Sequence, residues 1–301
     1  MSHTKLLSLA FAAFATMLGF TAAVVAQPPA GGGAGKGGKG APKAGATVEK
    51  IRTLKPNLYL ITGGGANTLV RVTPEGIIVA DTKNPGDENF DRVMEEIKSV
   101  SPLPVKWVIN TQHHPDHVGT NQKFIDAGAQ VLAVEPLKTF MASDNRTKDI
   151  PGRPTVTFAK DYVLKFGGAE VDLHFYGPGH SGGDTIVYFP AEKIVMVGDQ
   201  MTDATPLVDF ANGGSAVGWN KSLDGALAMD FEWAIPGRGE PKTKAEVQAY
   251  RTKFATLVQR AADAIKAGAT KETLAMQVKT DDLGWTFQAA FYGSLFDELK
   301  K

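Results

Sequence analysis

Two successive runs of short strand-like segments, each giving way to helix-forming sequence, limit what this chain can fold into. The first run comprises Val48 to Leu54, Leu58 to Thr62, Thr68 to Val72 and Gly76 to Asp81. Pro56-Asn57, Gly63 to Gly65 and Pro74-Glu75-Gly76 separate these segments, as turn residues do in an antiparallel meander. Alternation follows. A helix is predicted over about Asp87 to Val100, with Phe90, Val93, Met94 and Ile97 on one face. The strand Val105 to Thr111, a helix from about Gly119 and the strand Gln130 to Val134 come next. The second β-rich run covers Thr155 to Phe158, Tyr162 to Phe166, Glu170 to Tyr176, Thr185 to Phe189 and Ile194 to Val197. The last third is helical. Thr243-x-x-Glu246 is a capping box, Val247, Tyr250, Phe254, Leu257, Ala261 and Ile265 form a stripe, and Gly268 closes the helix. A further amphipathic segment over about 283 to 299 carries Trp285, Phe291, Tyr292, Leu295 and Phe296, read as core. Strands then helices, twice over, imply an α/β fold of α+β layering: two sheets face to face with helices outside, in one domain from residue 47 to 301.

At 43% apolar residues the chain can bury a core. It has no cysteine, which excludes disulfides, thiolate nucleophiles and cysteine-based zinc sites. The formal charge is zero, but unevenly placed. Lys5, Lys36, Lys39 and Lys43 precede residue 47 with no acid among them, so 28 basic residues face 32 acidic ones beyond it. That argues against a nucleic-acid partner. Residues 1–26 read as a secretory signal: Lys5, an uncharged apolar run from Leu6 to Val25, then Val24-Val25-Ala26 before Gln27. The expectation is a periplasmic or secreted protein with no membrane association after cleavage; retention of the run as an anchor is the alternative. Residues 27–46 are a Gly/Pro/Ala/Lys linker. Gly33, Gly38 and Lys39 nearly spell a phosphate-binding loop, but Gly40 stands where Ser or Thr must hold the metal, and no strand precedes it.

Three of the six histidines crowd one segment, Thr111-Gln112-His113-His114-Pro115-Asp116-His117-Val118-Gly119. It lies where a buried strand ends and a helix begins, a usual place for functional loops. In extended chain Gln112 and His114 point to one side and His113 to the other. A turn at Pro115 then brings Asp116 and His117 beside them. Clustered bare imidazoles are poor core material, and a divalent cation is their natural filling; a solvated polar turn is the alternative. Downstream, His180 sits in a glycine-rich turn, Gly198-Asp199 ends an apolar strand, and Pro236-Gly237-Arg238-Gly239 ends another. His174 reads as an exposed sheet residue and His3 lies in the signal.

These motifs, in this order, resemble those of the metallo-β-lactamase-fold hydrolase superfamily over essentially all of 47–301. That family has His-x-His-x-Asp-His, a lone His after Gly, Gly-Asp and Pro-Gly-His-Gly, and Asp81 matches its usual start. The resemblance implies an αββα sandwich of the metallo-β-lactamase type with a zinc site at its edge. It places a first metal on Gln112, His114 and His180, and a second on Asp116, His117 and residue 238, with Asp199 bridging. It also makes Gly63 to Gly65 either a hairpin turn or a mobile flap. The chain departs from the family at two positions. Gln112 replaces a histidine; its carbonyl oxygen can ligate, more weakly, and His113 could take its place after a loop shift. Arg238 replaces the last histidine, and a guanidinium has no lone pair to offer.

The implied function is an exported zinc hydrolase with one zinc, or two, acting on an ester, lactone, thioester or amide through a metal-activated water. Asp116 would orient that water or shuttle its proton, and Arg238 would hold an anionic group of a small-molecule substrate or replace a metal ligand. The alternative is a non-catalytic relative that binds a ligand or partner, with Arg238 neutralising the former metal site. Neither substrate nor oligomeric state is legible.

Overall fold

A computed structural model describes residues 47–301. The signal and linker expected over 1–26 and 27–46 lie outside the described residues. Among the described residues, no helix is long and apolar enough to cross a membrane.

The first sheet has seven strands in sequence order: β1 (Arg52–Lys55), β2 (Leu58–Ile61), β3 (Thr68–Thr73), β4 (Gly76–Ala80), β5 (Val105–Ile109), β6 (Gln130–Val134) and β7 (Val156–Phe158). Its first four strands form the meander, and β4 to β7 run parallel. The second sheet contains β8 (Asp161–Phe166), β9 (Ala169–His174), β10 (Ile186–Phe189), β11 (Ile194–Gly198), β12 (Trp233–Pro236) and β13 (Lys242–Thr243). Within it only β11 and β12 are parallel. The helices are α1 (Asp87–Val100), α2 (Pro115–Val118), α3 (Asn121–Asp126), α4 (Glu135–Ser143), α5 (Ala216–Leu227), α6 (Lys244–Lys266), α7 (Leu274–Gln277) and α8 (Ala289–Leu299).

The layers follow from side-chain alternation. In β4, Ile78 and Ala80 face the second sheet, where Leu173, Val187 and Met196 meet them. Ile77 and Val79 face the other way, onto Val93 and Ile97 of α1 and Phe124 of α3. A strand buried on both faces therefore reads as an unbroken apolar run. On the outer face of the second sheet, Ile186, Val195 and Val197 pack against Trp219 and Leu223 of α5, Phe254 and Leu257 of α6, and Leu295 of α8. This is the αββα sandwich.

The helix predicted over 87–100 matches α1, and the Thr243–Glu246 capping box opens α6 as expected. Three elements differ. The first strand begins at Arg52 instead of Val48. The last helix begins at Ala289, because Gly284 adopts a left-handed φ of 64° after a short 3-10 turn. Trp285 is buried nonetheless, edge-on to Tyr250 and Phe254. Helix α5 has no counterpart in the sequence reading, since Gly218 and Gly225 dilute its helical signal. Gly218 is there for packing: a Cβ would lie 2.0 Å from the Pro178 carbonyl oxygen.

Candidate metal centre

All the singled-out motifs sit at one edge of the sandwich. Asp81 follows β4, residues 110–117 follow β5, Asp199 follows β11, and Gly237-Arg238 follows β12. These are carboxyl ends of parallel strands, where backbone pairing stops and side chains can converge. His180 arrives on the turn between β9 and β10. Asp184 shapes that turn, its carboxylate accepting from the Ser181 backbone N–H at 2.8 Å and hydroxyl at 2.6 Å. A cleft of about 560 Å³ opens over this edge, lined by His114, Asp116, His180, Asp199 and Arg238 among others.

The partners of each imidazole show which nitrogen can turn a lone pair toward the cleft. His180 Nδ1 donates to the Leu207 carbonyl at 2.6 Å, which leaves Nε2 as a lone pair. Burial lowers His114 to about 4 against the pull of Asp209, so its ring is neutral near pH 7. Its Nε2 lies 2.9 Å from Asp209 Oδ2 and 3.1 Å from the Arg146 guanidinium; the tautomer that donates Nε2–H to Asp209 leaves Nδ1 bare. These two bare nitrogens face each other at 3.0 Å, with Asp199 Oδ2 3.6 Å from His180 Nε2. Two nitrogens so placed are joined either by a shared proton or by a metal cation. Tetrahedral bonds of about 2.05 Å would set two imidazole nitrogens roughly 3.3 Å apart, so little movement is required.

His117 makes a second convergence. Its Nδ1 donates to Asp81 Oδ2 at 2.7 Å. The same carboxylate accepts from Thr111 N at 2.8 Å and Oγ1 at 2.6 Å. Buried Nε2 has no hydrogen-bond partner and lies 3.4 Å from Asp199 and 3.6 Å from Asp116. Burial opposes charge on His117, yet the carboxylates of Asp81, Asp116 and Asp199 raise its pKa well above the usual value. Burial would likewise raise Asp199, but His117 and Arg238 hold it well below the carboxylate range.

Arg238 spans the two carboxylates. Its Nη1 lies 3.1 and 3.0 Å from the Asp199 oxygens, and its Nη2 donates to Asp116 Oδ2. The approach of Asp199 demands glycine at 237, where a Cβ would fall 1.7 Å from Asp199 Oδ1. Gln112 is oriented differently from the ligand expected. Its Oε1 accepts from the His114 backbone N–H at 3.0 Å, which obliges the amide nitrogen to face Asp199 Oδ2 at 3.1 Å. It thus presents an N–H group, not a lone pair, toward Asp199. His113 does not replace it: the ring is buried and bonded to Asp144 at 3.1 Å. His174 is part-exposed and bonded to Asp161 at 2.8 Å.

Among the described residues, three groups present converging His and carboxylate atoms: His114/His180/Asp199, Asp116/His117/Asp199, and His113/His114/Asp144/Asp209. The third already holds the Arg146 guanidinium, bonded to Asp144 and Asp209. Sequence comparison gives the arrangement its context. The sequence model of the Metallo-beta-lactamase superfamily matches residues 51–238. The chain belongs to the metallo-β-lactamase superfamily. It is 29% identical over 157 residues to the metallo-beta-lactamase type 2 of Elizabethkingia meningoseptica, covering 50% of this chain and 61% of that one. It is 27% identical over 224 residues to the 2,4-dinitroanisole O-demethylase subunit alpha of a Nocardioides species, covering 74% and 66%. Each match thus spans less than two thirds of the relative. The fold resembles that of a metallo-beta-lactamase from Pontibacter korlensis, with TM-score 0.62 and 22% identity over 69% of this chain and 99% of that one.

Several site residues of this superfamily member escaped the sequence reading as supports: Asp209 and Arg146 behind His114, the partnership of Asp81 with His117, and Lys83. Lys83 is fully buried, and its Nζ donates to the Ile61 carbonyl at 2.7 Å and the Ala66 carbonyl at 2.6 Å, bracketing the glycine turn over the cleft. Burial lowers its pKa to about 7, with Asp81, Glu49 and Asp116 opposing. Below pH 7 folded and unfolded chains both carry the proton, so the burial cost is undiminished. Between about 7 and the ordinary lysine value of 10.5 the unfolded chain binds more protons, and stability rises with pH. From pH 7 to 9 the protein should gain about 2 kcal/mol relative to a Lys83→Met variant. Urea unfolding of both proteins at the two pH values measures this, and parallel pH dependences would refute it.

Proposed function

We propose that the protein is a hydrolase that holds one zinc ion on His114 Nδ1, His180 Nε2 and the Asp199 carboxylate. The convergence of His114 Nδ1 and His180 Nε2, 3.0 Å apart, with Asp199 beside them and Asp209 and Leu207 on their other nitrogens, carries this reading. Two imidazoles and one carboxylate satisfy a catalytic zinc and leave a position for water. Held by these residues, zinc would supply Lewis acidity and acidify water toward a pKa of about 7. Asp116 borders the same cleft and is the base placed to take a proton from an attacking water. Arg238 holds Asp116 and Asp199 in place and occupies the position of a second cation. Gln112 restrains Asp199 and is not itself a ligand. The proposed substrate is a small-molecule ester, lactone, thioester or amide.

Elemental analysis of protein purified without chelator should find about one zinc per chain. A screen of lactones, thioesters and β-lactams should then reveal a hydrolysis that chelator removes and zinc restores. The bridge from Arg238 to Asp116 and Asp199 favours a second reading, a non-catalytic domain neutralised by its own arginine. Protein that retains no metal would decide for it.

A further inference from the structure

The turn between β2 and β3 reaches across to the second sheet at one residue. Asn67 is buried, and its backbone N–H donates to the Gly237 carbonyl at 2.7 Å. Its carboxamide nitrogen donates to the Pro236 carbonyl and the Gly239 carbonyl, each at 2.9 Å. Three hydrogen bonds from one side of the sandwich therefore pin the backbone immediately before and after Arg238. Both amide protons are used, a demand that Asp, with no N–H on its side chain, cannot meet. Asn67 is itself held, because Lys83 clamps the adjoining Ala66 carbonyl and the Ala66 N–H donates to the Asp116 carbonyl at 3.2 Å. The turn that positions Asn67 is thus tied to the same Asp116 that Arg238 grips from the other side.

We infer that Asn67 is a positioning residue that fixes Arg238 in the place of a second cation and so keeps the site mononuclear. This rests on the reading that Arg238 excludes that cation. An arginine on a free loop loses rotamer freedom each time it bridges two carboxylates. Pinning its backbone on both flanks removes part of that loss, so the guanidinium competes better with a metal for Asp116 and Asp199. With Asn67 truncated, Arg238 keeps its charge and chemistry but competes from a looser loop.

Zinc titration by calorimetry of the full chain, Asn67→Ala, Arg238→Ala and the double variant tests this. Arg238→Ala should bind a second zinc. Asn67→Ala, with Arg238 present, should bind a second zinc about tenfold or more tightly than the parent, as expected when two buried hydrogen bonds are lost. In the Arg238→Ala background the same truncation should change second-site affinity less than about threefold, since no arginine remains to be positioned. A parent-like second site in Asn67→Ala, while Arg238→Ala gains one, overturns the positioning role and leaves the proposed function standing. A tenfold effect that persists without Arg238 also overturns it, because the truncation then acts on the fold at large. If Arg238→Ala gains no second zinc, the exclusion reading fails and the role of Asn67 with it. Should Asn67→Ala not fold, Asn67→Ser is read by the same criteria.

Discussion

Replacing His180 with Ala is expected to abolish tight zinc retention. His180 and His114 supply the two imidazole nitrogens that meet at 3.0 Å, and among the described residues Asp199 is the only carboxylate grouped with both. Losing one of three protein ligands should cost more than the roughly 100-fold upper range for losing a supporting hydrogen bond. The turn around residue 180 should survive, because Asp184 binds Ser181 twice and the Asp209 N–H donates to the residue 180 backbone carbonyl at 2.8 Å. A folded variant with unchanged near-ultraviolet circular dichroism should therefore emerge from gel filtration almost free of zinc. If it keeps about one ion per chain, the metal lies elsewhere and the ligand set proposed above is wrong.

Arg238→His should raise zinc stoichiometry from about one toward two. In the parent, a permanent positive charge touches both Asp116 and Asp199, and a divalent ion at the same place would face repulsion of roughly several kcal/mol. The substitution removes that charge, frees both carboxylates and adds an imidazole beside His117 Nε2, which is buried without a partner. Asp116, His117 and Asp199 already converge as a possible ligand set. Metal binding also displaces protons from its ligands, and His117, held charged by three carboxylates, must release one. The second phase should accordingly strengthen as pH rises, and titrations at two matched pH values would show it. Unchanged stoichiometry in a folded variant would mean that the guanidinium is not what excludes the second ion.

Much of the layer order was legible because it is written in local periodicity. Ile77 to Ala80 is apolar at every position since both faces are covered, and α6 is announced by its capping box. The reading failed where a tertiary contact overrules local preference. Gly218 and Gly225 weaken α5 as a helix, yet Gly218 is required by the Pro178 carbonyl and Gly225 by the Tyr176 ring. Trp285 opens the apolar stripe, yet residues 285–288 are not helical, because burying Trp285 against Tyr250 and Phe254 does not depend on a helix there.

The candidate site divides in the same way. Residue types and their spacing along the chain determined that imidazoles, carboxylates and an arginine would gather at strand ends. Only the folded chain decided which atoms meet. Gln112 turns its amide to a carboxylate 87 residues away, Asp209 meets His114 Nε2 across 95 residues, and Arg238 reaches Asp116 across 122. Helix and strand periodicity is a property of neighbours in sequence, whereas the direction of a lone pair depends on whichever donor the packed sheets bring to the other nitrogen. The sequence alone therefore determined which imidazoles and carboxylates gather, and the tertiary structure decided that His114 and His180 meet beside Asp199 while Arg238 bridges Asp199 and Asp116.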